Sequence, residues 1–217
     1  MELKGKKINF LGDSITEGSG ASCIENCYVS MVEKMTGAVC RNYGIGGTRI
    51  ARQQVPTCEK HDKDFPSRVE EMDPDADIVV VFGGTNDYGH GDASLGMFKD
   101  NTVNTFYGAL HVLYTSLIEK YPDSKIVVLT PLHRVNETNL RGDGSKTRDC
   151  ATLKTYVDII KEVAEHYSLP VLDLWANSGM QPNVPIIQEK FMPDGLHPND
   201  AGYERLGNII VAFLKSL

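Results

Sequence analysis

Apolar positions along the chain follow two alternating rhythms, short β-rich runs and longer stretches with helical spacing. Lys7 to Leu11 is a compact apolar run bounded by Gly12 and reads as a first strand. Tyr28 to Met35 places Val29, Val32 and Met35 on one helical face, and Ala38 to Tyr43 is a second strand ending at Gly44. Ile78 to Phe82 is β-branched and nearly unbroken, the pattern of a strand buried on both faces. Asn104 to Tyr121 has helical periodicity and stops at Pro122, and Ile126 to Leu129 is a fourth strand closed by Pro131. Leu153 to His166 is an amphipathic helix, Pro170 to Leu174 a fifth strand, and Asn199 to Leu217 a final helix with Asn199 as its N-cap.

This alternation predicts an α/β protein with three layers, helices covering both faces of a central, mostly parallel five-stranded sheet. With no repeat, linker or low-complexity tract, residues 1–217 read as one domain. Long connections are expected at about Tyr88 to Asn101, Leu132 to Lys146 and Trp175 to Pro193, after strands three, four and five. Ligands of open parallel sheets bind beyond the carboxyl ends of the strands, so these segments are the expected walls of a site.

Composition narrows the partners. Twenty-nine acidic residues against 22 basic ones give a net charge of -7, a poor surface for tracking phosphates, so no nucleic-acid partner is expected. Nothing approaches the ~18 apolar residues of a membrane span. The polar start from Met1 to Lys7 has no signal-peptide core, which makes a cytoplasmic location the default expectation. Five irregularly spaced cysteines suit a reducing compartment, and neither Cys23/Cys27 nor Cys58/His61 has a second pair at zinc-site spacing. No metal and no cofactor is expected.

Four segments carry reactive or polar groups directly after strands or before the last helix. They are Gly12-Asp13-Ser14-Ile15-Thr16-Glu17, the run Asn42 to Thr48 containing Gly46 and Gly47, Gly83-Gly84-Thr85-Asn86-Asp87, and Asp194-Gly195-Leu196-His197-Pro198. Taken singly, Ser14 is a helix cap, the glycines are turn residues, Asn86-Asp87 is a self-capped loop and His197 marks a helix entry. Together they supply a nucleophile, a base, an orienting carboxylate and oxyanion donors, the set that acyl transfer requires. Ser14 is followed two positions on by Thr16, where a G-x-S-x-G elbow needs glycine. Arg49 stands where a dinucleotide fingerprint starting at Gly44 needs its third glycine. Gly144 to Thr147 lacks the glycine before lysine and the preceding strand of a phosphate loop.

In order and position the four segments resemble the SGNH hydrolases, the GDSL-type esterases and lipases, over almost the whole chain. Ile15 replaces the family's usual leucine. The family's glycine follows an asparagine by five positions, which selects Gly47 over Gly46 when counted from Asn42. The resemblance implies a flavodoxin-like SGNH fold and a triad of Ser14, His197 and Asp194. It also implies an oxyanion hole made by the N–H groups of Ser14 and Gly47 and the Asn86 amide, with Asp13 and Asp87 holding loops. The expected substrate is a small-molecule or carbohydrate ester with a short acyl group such as acetyl. A thioesterase or lysophospholipase of the same family, and a silent carbohydrate-binding protein, are the competing expectations. Tyr88, His133 and Trp175 are the candidate substrate contacts, from polar and aromatic residues in the long connections.

Overall fold

In a computed structural model describing residues 1–217, all five strands are parallel and lie in the order β2-β1-β3-β4-β5. They are β1 (Lys7–Gly12), β2 (Val39–Gly44), β3 (Ile78–Phe82), β4 (Lys125–Leu129) and β5 (Val171–Leu172). Order reverses at β1, whose two neighbours are β2 and β3, with Gly12 opposite Gly44 on one side and Phe82 on the other. That reversal is the topological switch point, where a crevice opens beyond the strand ends.

Nine helices surround the sheet. Four are single turns or little more: α1 (Ser14–Glu17), α3 (Phe65–Arg68), α4 (Thr85–Gly89) and α7 (Leu174–Asn177). The longer ones are α2 (Tyr28–Thr36), α5 (Phe106–Lys120), α6 (Leu153–His166), α8 (Pro185–Phe191) and α9 (Asp200–Ser216). Alternation along the strands sends side chains to opposite faces. Ile78, Val80 and Phe82 of β3 join Val32 of α2 and Leu206 and Ile210 of α9 in one core, while Val79 and Val81 join Leu113 of α5 and Ile160 of α6 in the other. A sheet buried on both sides explains why β3 is apolar without a break. None of the helices is long and apolar enough to cross a membrane.

Three expectations shift. The fifth strand shrinks from Pro170–Leu174 to Val171–Leu172, because Asp173 caps α7 by accepting the Ala176 N–H at 3.1 Å and turns the chain out of the ladder. The third long connection is not a plain loop, since it contains α7 and α8. Short helices also form at the carboxyl ends of β1 and β3, where four or five residues are too few to show a period. Asn199 caps α9 as expected, accepting the Gly202 N–H at 3.0 Å. The N-cap of α5 falls on Thr105, which accepts from Gly108 at 3.1 Å.

Candidate functional site

Ser14 sits on the turn where β1 passes directly into α1. Gly12 permits that turn, because a Cβ there would lie 1.9 Å from Thr16 Oγ1. Asp13 caps the helix by accepting the Ile15 N–H at 3.0 Å. Ser14 is therefore the first residue of α1, where a backbone N–H has no acceptor inside its own helix. From the other side, the Tyr203 hydroxyl of α9 donates to the carbonyls of Ile15 at 3.1 Å and Ser19 at 2.6 Å, tying the last helix to the serine turn.

The turn before α9 brings an imidazole to the serine. His197 Nε2 lies 2.9 Å from Ser14 Oγ, and His197 Nδ1 lies 2.6 Å from Asp194 Oδ2. Asp194 is held by its own turn, since Oδ1 accepts the N–H groups of Leu196 at 2.8 Å and His197 at 2.7 Å. Burial works to raise the Asp194 pKa, but those amides and the imidazole outweigh it and set the carboxyl below the ordinary aspartate value. Gly195 adopts φ +78°, and Val135 presses on it, donating its N–H to the Gly195 carbonyl at 2.9 Å.

The glycine segment after β2 forms the facing wall. Gly46 donates its N–H to Glu17 Oε2 at 2.9 Å, so that donor is occupied. Gly47, at φ +76°, keeps its N–H free of any acceptor in the chain, while its carbonyl lies 3.3 Å from His90 Nε2. Between the two glycines, geometry thus favours Gly47 as a donor to a ligand. Asn86 spends one amide hydrogen on the Thr48 carbonyl at 3.0 Å and has a second to give.

Two buried carboxyls stand behind these groups. Asp87 accepts the N–H groups of Ile50 at 2.9 Å and Ala51 at 2.8 Å, anchoring the segment that follows the glycines. Burial raises Asp87 to about 6, against the pull of those two amides. Asp13 is likewise pushed up by burial to about 6. Asp87 thereby holds a loop in place, whereas Asp13 holds the start of α1.

Arg68 escaped the sequence reading. Its buried guanidinium donates to the Gly12 carbonyl at 3.1 Å, to Thr48 Oγ1 at 3.0 Å and to the Tyr43 carbonyl, joining the ends of β1 and β2 to the glycine segment. Burial brings it down to about 10. A single arginine in a helix-like stretch carries no local signal for such long-range contacts. The hydrogen bonds of Glu17 to Gly46 and of His90 to Gly47 join distant segments and carry no local signal either.

The three proposed substrate contacts part ways. Tyr88 is corrected: it is fully buried, and its hydroxyl donates to the carbonyls of Asn136 and, at 3.0 Å, Asn139. It props a loop from inside because α4 turns its ring into the core. His133 and Trp175 come together, with ring centroids 3.8 Å apart. His133 Nδ1 lies 2.9 Å from Glu137 Oε2, and His133 is two residues from the Val135 that braces Gly195. No group of three or more His, Cys, Asp or Glu side chains could hold a metal ion.

Chemically, the constellation can lower the cost of deprotonating a hydroxyl, orient an imidazole through one carboxylate and offer up to three N–H donors to a developing oxyanion. A family model described as GDSL-like lipase/acylhydrolase matches residues 10–205. No curated protein matches the sequence. One solved structure is 33% identical, with a TM-score of 0.87 over 100% of this chain and 99% of that one. A protein from Lactobacillus plantarum is 28% identical, with a TM-score of 0.84 over 99% and 98% of the two chains. A carbohydrate acetylesterase family member from Sinorhizobium meliloti shares the fold at 17% identity, with a TM-score of 0.65 over 97% and 98%.

Proposed function

The chain belongs to the GDSL-like lipase/acylhydrolase family of ester-hydrolysing enzymes, and on that premise we propose that it is a serine esterase working through an acyl-enzyme on Ser14. The observation that carries this reading is the unbroken relay from Ser14 Oγ to His197 Nε2 at 2.9 Å and from His197 Nδ1 to Asp194 at 2.6 Å.

In this mechanism His197 takes the Ser14 proton as Oγ attacks the ester carbonyl, and Asp194 holds the tautomer whose Nε2 lone pair faces the serine. The carbonyl oxygen becomes an alkoxide held by the N–H groups of Ser14 and Gly47 and the Asn86 amide. Collapse of the tetrahedral intermediate expels the alcohol, which takes the proton from His197. Water, activated by the same imidazole, then hydrolyses the acyl-serine.

We assign a short acyl group, acetyl by preference, on a hydroxylated or carbohydrate alcohol. The polar walls support this, with His90 against Gly47 and the His133–Trp175 pair near the Asp194 turn. The test is hydrolysis of 4-nitrophenyl esters with acyl chains of two to twelve carbons, with Ser14→Ala as control. Activity falling with chain length and abolished in the variant is expected. Full activity in Ser14→Ala overturns the mechanism, and a maximum at long chains overturns the acetyl preference in favour of a lipase-type substrate.

A further inference from the structure

Beside the glycine segment lies a cleft of about 830 Å³ that the mechanism above does not use. Its near wall is His90, whose ring meets the Gly47 carbonyl, and Gly91, whose N–H donates to the Asn86 carbonyl at 2.9 Å. The cleft's near wall is therefore hydrogen-bonded to Gly47 and Asn86, the residues that bear two of the proposed oxyanion donors, and lies one residue away from them. Its other walls come from Arg49, Asp92 and the segment with Lys146 and Arg148.

Two of the four charged side chains here are already engaged. Arg49 donates to Asp62 at 2.6 Å. Asp92 has spent both carboxylate oxygens on backbone, accepting Gln54 N–H at 2.7 Å and Val55 N–H at 2.8 Å. Two cations are not. Lys146 donates only to neutral oxygens, the Asp87 carbonyl at 2.8 Å and the Tyr156 hydroxyl at 3.3 Å, which leaves it a third N–H and no carboxylate within salt-bridge reach, the charges of Asp87, Asp143 and Asp92 acting on it from farther off. Arg148 engages the chain only through its carbonyl, which takes the Cys150 thiol at 3.7 Å, so its guanidinium is free. Two cations that line one cleft, neither of them in a salt bridge, beside a single carboxylate already spent on backbone amides, make a wall suited to an anion.

We propose that this cleft is a specificity subsite for an anionic group, a carboxylate or a phosphate, carried by the ester whose carbonyl sits at Ser14, with Lys146 and Arg148 as its ligands. The proposal rests on the serine-esterase reading. It makes the preferred substrate an acidic ester rather than a neutral one. A half-buried lysine with an unused donor supplies a charge-assisted hydrogen bond at little ordering cost, and an exposed arginine adds a bidentate one once the anion arrives.

The experiment compares kcat/KM for phenyl acetate, 4-acetoxybenzoate, 4-acetoxyphenyl phosphate and monophenyl succinate in the parent enzyme and in Arg148→Gln, Arg148→Glu and Lys146→Gln. Dividing each variant by the parent on the same ester cancels intrinsic reactivity. The expected result is a loss at least about tenfold greater on one or more charged esters than on phenyl acetate, larger for Arg148→Glu than for Arg148→Gln. The benzoate and phosphate esters separate carboxylate from phosphate recognition, and the succinate separates the acyl side from the alcohol side. Equal losses on charged and neutral esters overturn the subsite and leave the esterase reading standing. No hydrolysis of any of the esters by the parent enzyme overturns both. Arg148 is exposed and bears no packing role, so its variants keep the test valid even if Lys146→Gln fails to fold.

Discussion

Replacing Asp194 with asparagine tests the relay at its most informative point. In the folded chain Asp194 Oδ1 accepts two backbone N–H groups, from Leu196 and His197, while Oδ2 faces His197 Nδ1. An asparagine must place its oxygen where the two N–H groups point, since the opposite orientation sets an NH2 donor against two donors. Its NH2 therefore faces Nδ1, which must give up its hydrogen and become the acceptor. The imidazole hydrogen moves to Nε2, and the nitrogen that should receive the Ser14 proton is already protonated. For a triad shut away from solvent this change costs about 10⁴-fold. The Asp194 side chain is 55% exposed, so solvent screens part of the charge that stabilises the imidazolium. We expect a loss of about 10³-fold in kcat, or about 4 kcal/mol, with KM little changed. The assay is the initial rate of 4-nitrophenyl acetate hydrolysis from about pH 5 to 9, with a thermal melt alongside. Because asparagine keeps both backbone contacts, Tm should shift by only a few degrees. A kcat loss below tenfold, or one carried by KM, refutes Asp194 as the group that orients His197.

Other outcomes follow from the same geometry. Asn86→Leu removes the proposed side-chain donor to the oxyanion and should lower kcat by about 100-fold or more, read from the same ester kinetics. A change confined to KM would assign Asn86 to substrate binding alone. Gly47→Ala forces a Cβ onto φ +76° and to 3.0 Å from the His61 ring, so both stability and kcat should fall, stability by about 1–2 kcal/mol in urea unfolding. Arg68→Met strips the Gly12, Tyr43 and Thr48 oxygens of a buried partner and should cost about 1–3 kcal/mol of stability by the same measurement. Asp13 binds its proton more tightly in the folded chain, at about 6 against an ordinary 3.8. That contribution is fully present below about pH 4 and is lost as pH rises through 6, so Asp13→Asn, which mimics the protonated form, should gain on the parent by up to about 3 kcal/mol between about pH 4 and 7.5. A difference that stays flat across that range would mean Asp13 ionises as it would in water.

Much of this molecule could be read from its residues in order, because the rules involved are local. A β-branched run such as Ile78 to Phe82 marks a strand buried on both faces, an asparagine before an amphipathic stretch marks the start of α9, and short polar blocks after strands mark where a parallel sheet opens its crevice. Asp194 and His197 are three residues apart, so even their contact is a property of one turn. The chain fold supplied everything that depends on distant partners. It placed Ser14 beside His197 across 183 positions, and it occupied the Gly46 N–H with Glu17 while leaving that of Gly47 free. It also turned Tyr88 into the core and gathered the ends of β1 and β2 on Arg68. Whether a donor is free or taken depends on which oxygen another segment brings to it. That is settled only when the segments meet.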